Sequence, residues 1–307
     1  MILAIETSCD DTSVAWVSDG NLVGMCSSSQ IKEHARHGGV VPELASRLHV
    51  THLPRLLTQL VKQTGRPLSD ATLIAVTTHP GLEGCLLVGK VMAQTLGTLL
   101  GCPVMGVDHV MGHMYSAYFS NMPLVFPAVV LIISGGHTLI RFWKTHGDWQ
   151  EMGGTRDDAA GEAFDKVGRL LGLPYPAGPA IERLAQQGIH RIPLPIPMPD
   201  DPYDMSFSGL KSAVRRLIVP TMTEQERADM AMSFQDALIR SVSLKVGRAL
   251  EHTQAASLVV VGGVAANQSL IGALSGFGVP VVVPPLSYCT DNAAMIGMAA
   301  YYSQGLG

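Results

Sequence analysis

The strongest constraint in the sequence is a pattern that occurs twice. Ile2-Leu3-Ala4-Ile5 is a short apolar run. It is followed by the small, polar stretch Glu6-Thr7-Ser8-Cys9-Asp10-Asp11-Thr12 and by a second apolar run, Val14-Ala15-Trp16-Val17. Val129-Val130-Leu131-Ile132-Ile133 leads in the same way through Ser134-Gly135-Gly136-His137-Thr138 to Leu139-Ile140-Arg141-Phe142-Trp143. Each reads as strand, turn, strand, and Asp19-Gly20 and His146-Gly147-Asp148 supply the next turns. Repetition of pattern with little identity predicts two related domains, each opening on a hairpin whose turn faces a cleft. The length of 307 residues agrees, being more than one ordinary core accommodates.

Between and after the hairpins, helical and extended patterns alternate. Pro42 to Leu60 and Leu86 to Leu100 carry leucines near helical spacing, and Ala159 to Leu171 and Ala228 to His252 read as helices. Ile74 to Thr78, Val104 to Val107, Ser257 to Val261 and Val279 to Val283 read as strands, and the Pro-rich piece from Pro193 to Pro202 reads as a loop. Alternation of this kind predicts an α/β fold. The predicted domains are residues 1–125, with a helical insertion, and residues 126–307, the nucleotide-binding half.

Composition narrows the class. Hydrophobic residues make up 47% of the chain and charged residues 15%, which supplies a large core and argues against disorder. The start, Met1 to Glu6, reaches an acid at once and reads as a strand rather than a secretory leader. The charge-poor stretch from Val110 to Ile140 is interrupted by His113, Asn121, Pro123, Pro127, Gly135, Gly136 and His137, so a membrane helix is not expected there. Five scattered cysteines without a CxxC pair suit reduced thiols in a cytoplasmic protein. A net charge of −4 supplies little overall attraction for nucleic acid, so any such contact needs a local basic patch or a partner. Lys211, Arg215 and Arg216 form one such patch, or simply a solvated helix face.

Four groups of residues carry chemistry. Ser134-Gly135-Gly136-His137-Thr138 and Gly262-Gly263-Val264-Ala265-Ala266-Asn267 each end a strand. Either is a plain tight turn or, with backbone amides aimed at an oxyanion, part of a phosphate site. As paired turns at two domain edges they would suit a nucleotide in the cleft. His109 and His113 are four apart, so on a helix both imidazoles share one face and can hold one metal ion. A bare HxxxH also fits two unrelated histidines. No Glu sits between them, unlike a metalloprotease HExxH. A further oxygen ligand is available in Asp291, whose alternative is a helix N-cap. The acids Asp157, Asp158, Glu162 and Asp165 cluster at a helix start, as caps or, for Asp165, as a ligand to hydroxyls. Asp10 and Asp11 in the first hairpin turn are turn formers or a base for an incoming amine.

At these residues the sequence closely resembles the TsaD family (also called Gcp or YgjD), the bacterial tRNA threonylcarbamoyltransferases. The matching motifs run through the chain in order. They are Ile5 to Thr12, His37-Gly38-Gly39-Val40-Val41-Pro42-Glu43-Leu44-Ala45-Ser46-Arg47, Pro80-Gly81-Leu82, Leu86-Leu87-Val88-Gly89, Ser134 to Thr138, Asp157 to Lys166, Phe207-Ser208-Gly209-Leu210-Lys211, Gly262 to Asn267 and Cys289 to Ile296. The resemblance implies an actin/sugar-kinase/chaperone-ATPase type fold of two ribonuclease-H-like domains. It implies a divalent metal, usually iron(II) with zinc or magnesium as alternatives, on His109, His113 and Asp291. It implies substrate contacts from Ile132, Ile133, Ser134, Gly135, Gly136, Asp165, Gly178, Glu182 and Asn267, with Asn267 toward the adenosine and Asp165 and Glu182 toward ribose hydroxyls.

The implied reaction transfers threonylcarbamoyl from threonylcarbamoyl-AMP, made by a separate synthase, to the tRNA adenosine beside the anticodon. Asp10 or Asp11 assists proton removal, and ATP or ADP is a further ligand. The implied partners are tRNA, a TsaB-like paralogue and a TsaE-like ATPase; the setting is cytoplasmic, with no membrane. Two other activities share the pattern: an ATP-dependent kinase or carbamoyltransferase on the same fold, and a metalloprotease. Departures from the family pattern are His79 where Gly is usual before Pro80-Gly81, Ala177 where Gly-Gly is usual, and an early end after the helix near Asp291.

Overall fold

The computed structural model describes residues 1–305. The chain divides into two compact units, Met1–Phe119 with Thr290–Gly307, and Ser120–Cys289. In the first, β1 (Ile2–Glu6), β2 (Asp11–Ser18) and β3 (Asn21–Ser29) form an antiparallel meander, followed by α1 (Ile31–Ala35) and α2 (Pro42–Thr64). β4 (Leu73–His79), α3 (Glu83–Leu100), β5 (Val104–Asp108) and α4 (His109–Tyr115) complete this stretch. β4 pairs parallel to β1 and β5 parallel to β4, giving the order β3-β2-β1-β4-β5.

The second unit repeats the plan. β6 (Ala128–Ile133), β7 (Thr138–Thr145) and β8 (Asp148–Gly154) form the meander. α5 (Ala160–Leu170), α6 (Gly178–Ala185), α7 (Ser208–Leu217) and α8 (Glu224–Thr253) follow. Then come β9 (Ser257–Val261), parallel to β6, α9 (Gln268–Leu274) and β10 (Val281–Val282), parallel to β9. The order β10-β9-β6-β7-β8 is that of the first sheet with each strand replaced by its counterpart, as the repeated hairpin predicts. Residues 193–202 carry no helix or strand. β10 is shorter than the predicted Val279–Val283 because Pro280, Pro284 and Pro285 lack the amide that a ladder needs.

The predicted second domain, 126–307, overreaches at its end. The last helix, α10 (Ala293–Ser303), lies on β1 and β2. Strand periodicity explains why. Leu3, Ile5, Val14, Trp16, Ile74 and Val76 point to one face and join Leu53, Leu56, Leu57 and Leu60 of α2 in a core. The opposite face carries Ala4, Ala15 and Val17, and Gly297 of α10 sits on Ala4 and Val17. Small residues on both sides let helix and sheet approach closely. In the second unit, Val129, Leu131, Ile133, Leu258 and Val260 are covered by residues including Phe164, Val167, Phe234, Leu238 and Val242. The 30-residue α8 among these begins with a capping box of Thr223 and Glu226.

A Cβ at position 297 would lie 2.5 Å from Val17 Cγ2 and 3.3 Å from Ala4 Cβ. Gly297→Ala is therefore expected to lower stability by roughly 1–3 kcal/mol through overpacking, and adding Val17→Ala to restore much of it. The urea midpoint at unchanged m-value reads both effects.

Candidate metal centre and glycine turns

The polar site of the first unit is built on the face that α10 covers. Glu6, two residues beyond Ala4, points the same way, and its register partner is Ser13. Its fully buried carboxylate accepts the Ser8 backbone N–H and the Thr77 hydroxyl, and one oxygen lies 3.1 Å from His109 Nδ1. Ser8 Oγ is 3.2 Å from the same nitrogen. A carboxylate only accepts, so Nδ1 carries a hydrogen, and it is Nε2 that faces Asp291, as a lone pair in the neutral ring and as a second N–H when the ring is charged.

α4 supplies both histidines. Asp108 caps it through the Met111 N–H, and His109 and His113 fall on one side, with ring centroids 4.7 Å apart. Gly112 lets this helix press on α10, since a Cβ there would lie 2.7 Å from Ile296 Cδ1. Asp291 does not cap α10. Asn292 does so, accepting the Met295 N–H at 3.0 Å, and Asp291 turns its carboxylate to the histidines. Its Oδ1 lies 3.5 Å from His109 Nε2 and 3.2 Å from His113 Nε2. One ligand atom from each of the three residues lies within 4.8 Å of the others.

Two observations say that these residues fit a cation. His113 is fully buried; among the described residues its Nδ1 has no hydrogen-bond partner and its Nε2 faces only the Asp291 carboxylate, which is costly for a buried imidazole. Burial also opposes charge on His109, yet the carboxylates of Asp291 and Glu6 outweigh it and raise its pKa well above the usual histidine value. For Asp291, burial acts upward, but His109 and His113 bring its pKa well below the ordinary range. The site thus recruits positive charge between an imidazole and a carboxylate, which a divalent metal bound by Nε2 and oxygen would supply in place of a proton.

Asp10 and Asp11 stand where β1 turns into β2. Burial raises both carboxyls, and the charge of Asp291 reaches each of them. Asp11 is pushed up to about 7, with Ser29 opposing the rise.

In the second unit the two glycine turns adjoin, instead of lying at two domain edges. Gly262, at φ +98°, passes against the Ile133 backbone, where a Cβ would lie 2.7 Å from the carbonyl carbon. The 134–136 turn rests on the start of α5: Gly161 N–H donates to Ser134 O at 3.1 Å, and a Cβ at 161 would lie 2.8 Å from Gly135 Cα. Gly135, Gly136 and Gly178 differ from these. A Cβ on any of them meets open space, and none has positive φ.

Asp165 accepts the Ala177 N–H at 2.7 Å and so fixes the approach to Gly178. Ala177 itself has φ −90°, so its methyl is unstrained, and it occupies the space over Gly168. Glu182 accepts the Gln268 N–H at 2.7 Å. Asn267 is buried; its oxygen caps α9 through the Leu270 N–H and its amide donates to Gln235 at 2.9 Å. The expected adenosine contact therefore has an architectural job. Asp157 accepts the Phe207 and Ser208 N–H groups at the start of α7, and Asp158 pairs with Lys166 and Lys211. His79 lies 3.2 Å from Asp108.

Sequence reasoning missed Glu6, Ser8, Thr77 and Gln235. Glu6 left one trace: an acid at the end of a run whose alternate residues are wholly buried.

The model of one protein family, TsaD, described as tRNA N6-adenosine threonylcarbamoyltransferase, matches residues 21–298. A curated protein of that name from Synechococcus sp. (strain JA-3-3Ab) is 48% identical over 97% of this chain and 86% of its own length. The one from Bacillus subtilis (strain 168) is 44% identical over 97% and 89%. Among solved structures, HypF of T. kodakarensis matches 99% of this chain and 47% of its own at 13% identity, with a TM-score of 0.63. EutJ from Carboxydothermus hydrogenoformans matches 97% and 89% at 16% identity and 0.52. Both share the two-unit α/β fold.

The Asp11 shift sets a pH dependence. The folded state holds this proton up to about 7, whereas an unfolded Asp releases it near about 4. Its contribution to stability is thus full below about 4 and is lost as pH rises through about 7. Asp11→Asn should gain stability relative to the parent over that interval and keep the gain above it. Thermal melts of chelator-treated protein from pH 4.5 to 8 check the sign; a constant difference across the range contradicts it.

Proposed function

The chain belongs to the TsaD family of tRNA N6-adenosine threonylcarbamoyltransferases, the transferases that modify tRNA, and we propose how its residues divide that work. The donor is threonylcarbamoyl-AMP and the acceptor is the adenosine beside the anticodon. The N6 lone pair forms a C–N bond to the carbamoyl carbon, the C–O bond to phosphate breaks, and AMP leaves with the electron pair. His109, His113 and Asp291 hold a divalent metal, iron(II) before zinc or magnesium. That metal, when bound, supplies Lewis-acid polarisation and an anchor for the donor's anionic groups. The observation that carries this reading is the convergence of two buried imidazoles, His109 and His113, on the Asp291 carboxylate, with one ligand atom of each residue within 4.8 Å of the others.

The chain's own groups do the rest. Glu6 holds His109 in the tautomer that presents Nε2. Asp11, or Asp10 beside it, takes the proton lost by N6; a carboxyl at about 7 suits a base at neutral pH. The turn from Ile132 to Gly136 and Gly178 receive the adenylate or ATP/ADP. Glycines that the fold itself does not require support this, because a side chain there would fill only the space over the turn. Asp165 shapes the same region through Ala177, while Glu182 and Asn267 support the neighbouring Gln268 turn. A TsaB-like paralogue, a TsaE-like ATPase and a separate synthase complete the assembly in the cytoplasm. No helix among the described residues is long and apolar enough to cross a membrane.

The test is a reconstitution with synthase, TsaB-like and TsaE-like partners, threonine, bicarbonate, ATP and unmodified tRNA, read by mass spectrometry of the digested nucleosides. Threonylcarbamoyladenosine should form with the parent chain. His109→Ala/His113→Ala should lose both the product and bound metal by elemental analysis. Product from the metal-free double variant defeats the metal assignment. In the same assay Gly135→Ala should leave stability within about 0.5 kcal/mol and raise the donor KM roughly tenfold or more.

A further inference from the structure

The stripe that α2 buries against the first sheet is apolar except at one place. Ala45, Leu53, Leu56, Leu57 and Leu60 are joined by His49, which is completely buried. Its Nε2 lies 2.9 Å from the Cys9 carbonyl and its Nδ1 2.8 Å from Thr12 Oγ1. A carbonyl only accepts, so Nε2 carries the hydrogen and Nδ1 takes the threonine hydroxyl's. The ring is thereby fixed as one neutral tautomer, and burial, which lowers its pKa, keeps it neutral.

Cys9 and Thr12 flank Asp10 and Asp11. The imidazole therefore grips the turn on both sides of the two carboxylates. A second hold comes from Gln30, whose backbone N–H donates to the Asp10 carbonyl at 3.1 Å while its amide lies 3.4 Å from His49 Nδ1. His34, also buried, lies 3.1 Å from Gln30 Oε1 through Nε2 and accepts the Val41 N–H on Nδ1. The network runs from the residues before α2, through two histidines and a glutamine, to the acid turn.

We propose that His49 is a positioning residue for the transfer: it fixes the Cys9 carbonyl and the Thr12 hydroxyl, and through them the direction in which Asp10 and Asp11 present their carboxylates. This rests on the reading of those acids as the proton acceptors. A ring that merely fills the core would serve packing alone. A ring that positions the acids acts on turnover more than on binding, and its effect returns with any side chain that restores the donor to Cys9.

His49→Leu keeps the bulk and removes both polar atoms. His49→Gln places an amide N–H near the position of Nε2. Thr12→Val removes the partner of Nδ1 and leaves the histidine. All three, with Asp10→Asn and Asp11→Asn beside them, are assayed in the reconstituted system with tRNA saturating and donor varied, at a temperature where each is fully folded and carries the parent's metal content. His49→Leu should lower kcat about tenfold or more with donor KM within about twofold. His49→Gln should recover most of that loss, and Thr12→Val should lower kcat severalfold. Parent-like kcat in His49→Leu or Thr12→Val, with Asp11→Asn impaired, overturns the positioning role alone. Loss in His49→Leu that His49→Gln does not recover overturns it too. Full turnover in both Asp10→Asn and Asp11→Asn instead removes the reading beneath it.

Discussion

The first unit is organised around one carboxylate. Glu6 ends β1 and is buried where water cannot stabilise its charge, so its surroundings must. A backbone amide from the hairpin turn, a hydroxyl from β4 and an imidazole from α4 do so. These three come from different parts of the sequence, and the strand brings them to one point. Burial alone would raise the carboxyl's pKa; His109 and the hydrogen bonds lower it overall. The same contacts leave His109 Nε2 aimed at Asp291, so the geometry of the candidate metal centre is settled one residue behind its ligands.

Around that point the sheet faces divide the labour. Large residues on one face of β1, β2 and β4 meet the leucines of α2. On the other face Ala4, Ala15 and Gly297 give up bulk so that α10 lies close, and Gly112 does the same for α4. The second unit spends its small residues differently. Gly161 and Gly262 let three backbone segments meet at the 132–136 turn, and a Cβ on Gly135 or Gly136 of that turn would meet open space. A common strand order therefore carries a histidine–carboxylate centre in one copy and a backbone turn in the other.

Much of this was legible because strands and helices have fixed periods. The two hairpins, the α/β alternation and the shared face of His109 and His113 follow from spacings of two and four. Other features depend on partners that spacing does not name. Nothing local distinguishes Asp291 from a helix cap; the adjacent Asn292 takes that role and releases it. Asn267 stands in a glycine motif, and nothing local says that its oxygen also caps α9 or that its amide meets Gln235. Glu6 and His49 sit inside patterns whose apolar members dominate any reading, and only the folded chain brings Thr77, Cys9 and Thr12 beside them. The departure at Ala177 is harmless for a reason that sequence cannot give: its backbone is right-handed, and Gly168 leaves room for its methyl.

The return of α10 to the first sheet orders events while the chain is being made. The ribosome delivers β1 through α4 early, with the Ala4 and Val17 face uncovered and His113 beside an empty place. The whole second unit must emerge before Asp291 and α10 arrive to close that face. A nascent chain cut short anywhere before residue 291 would lack both the carboxylate and the cover. The grouping of His109, His113 and Asp291 is in this way deferred until the second unit has been made.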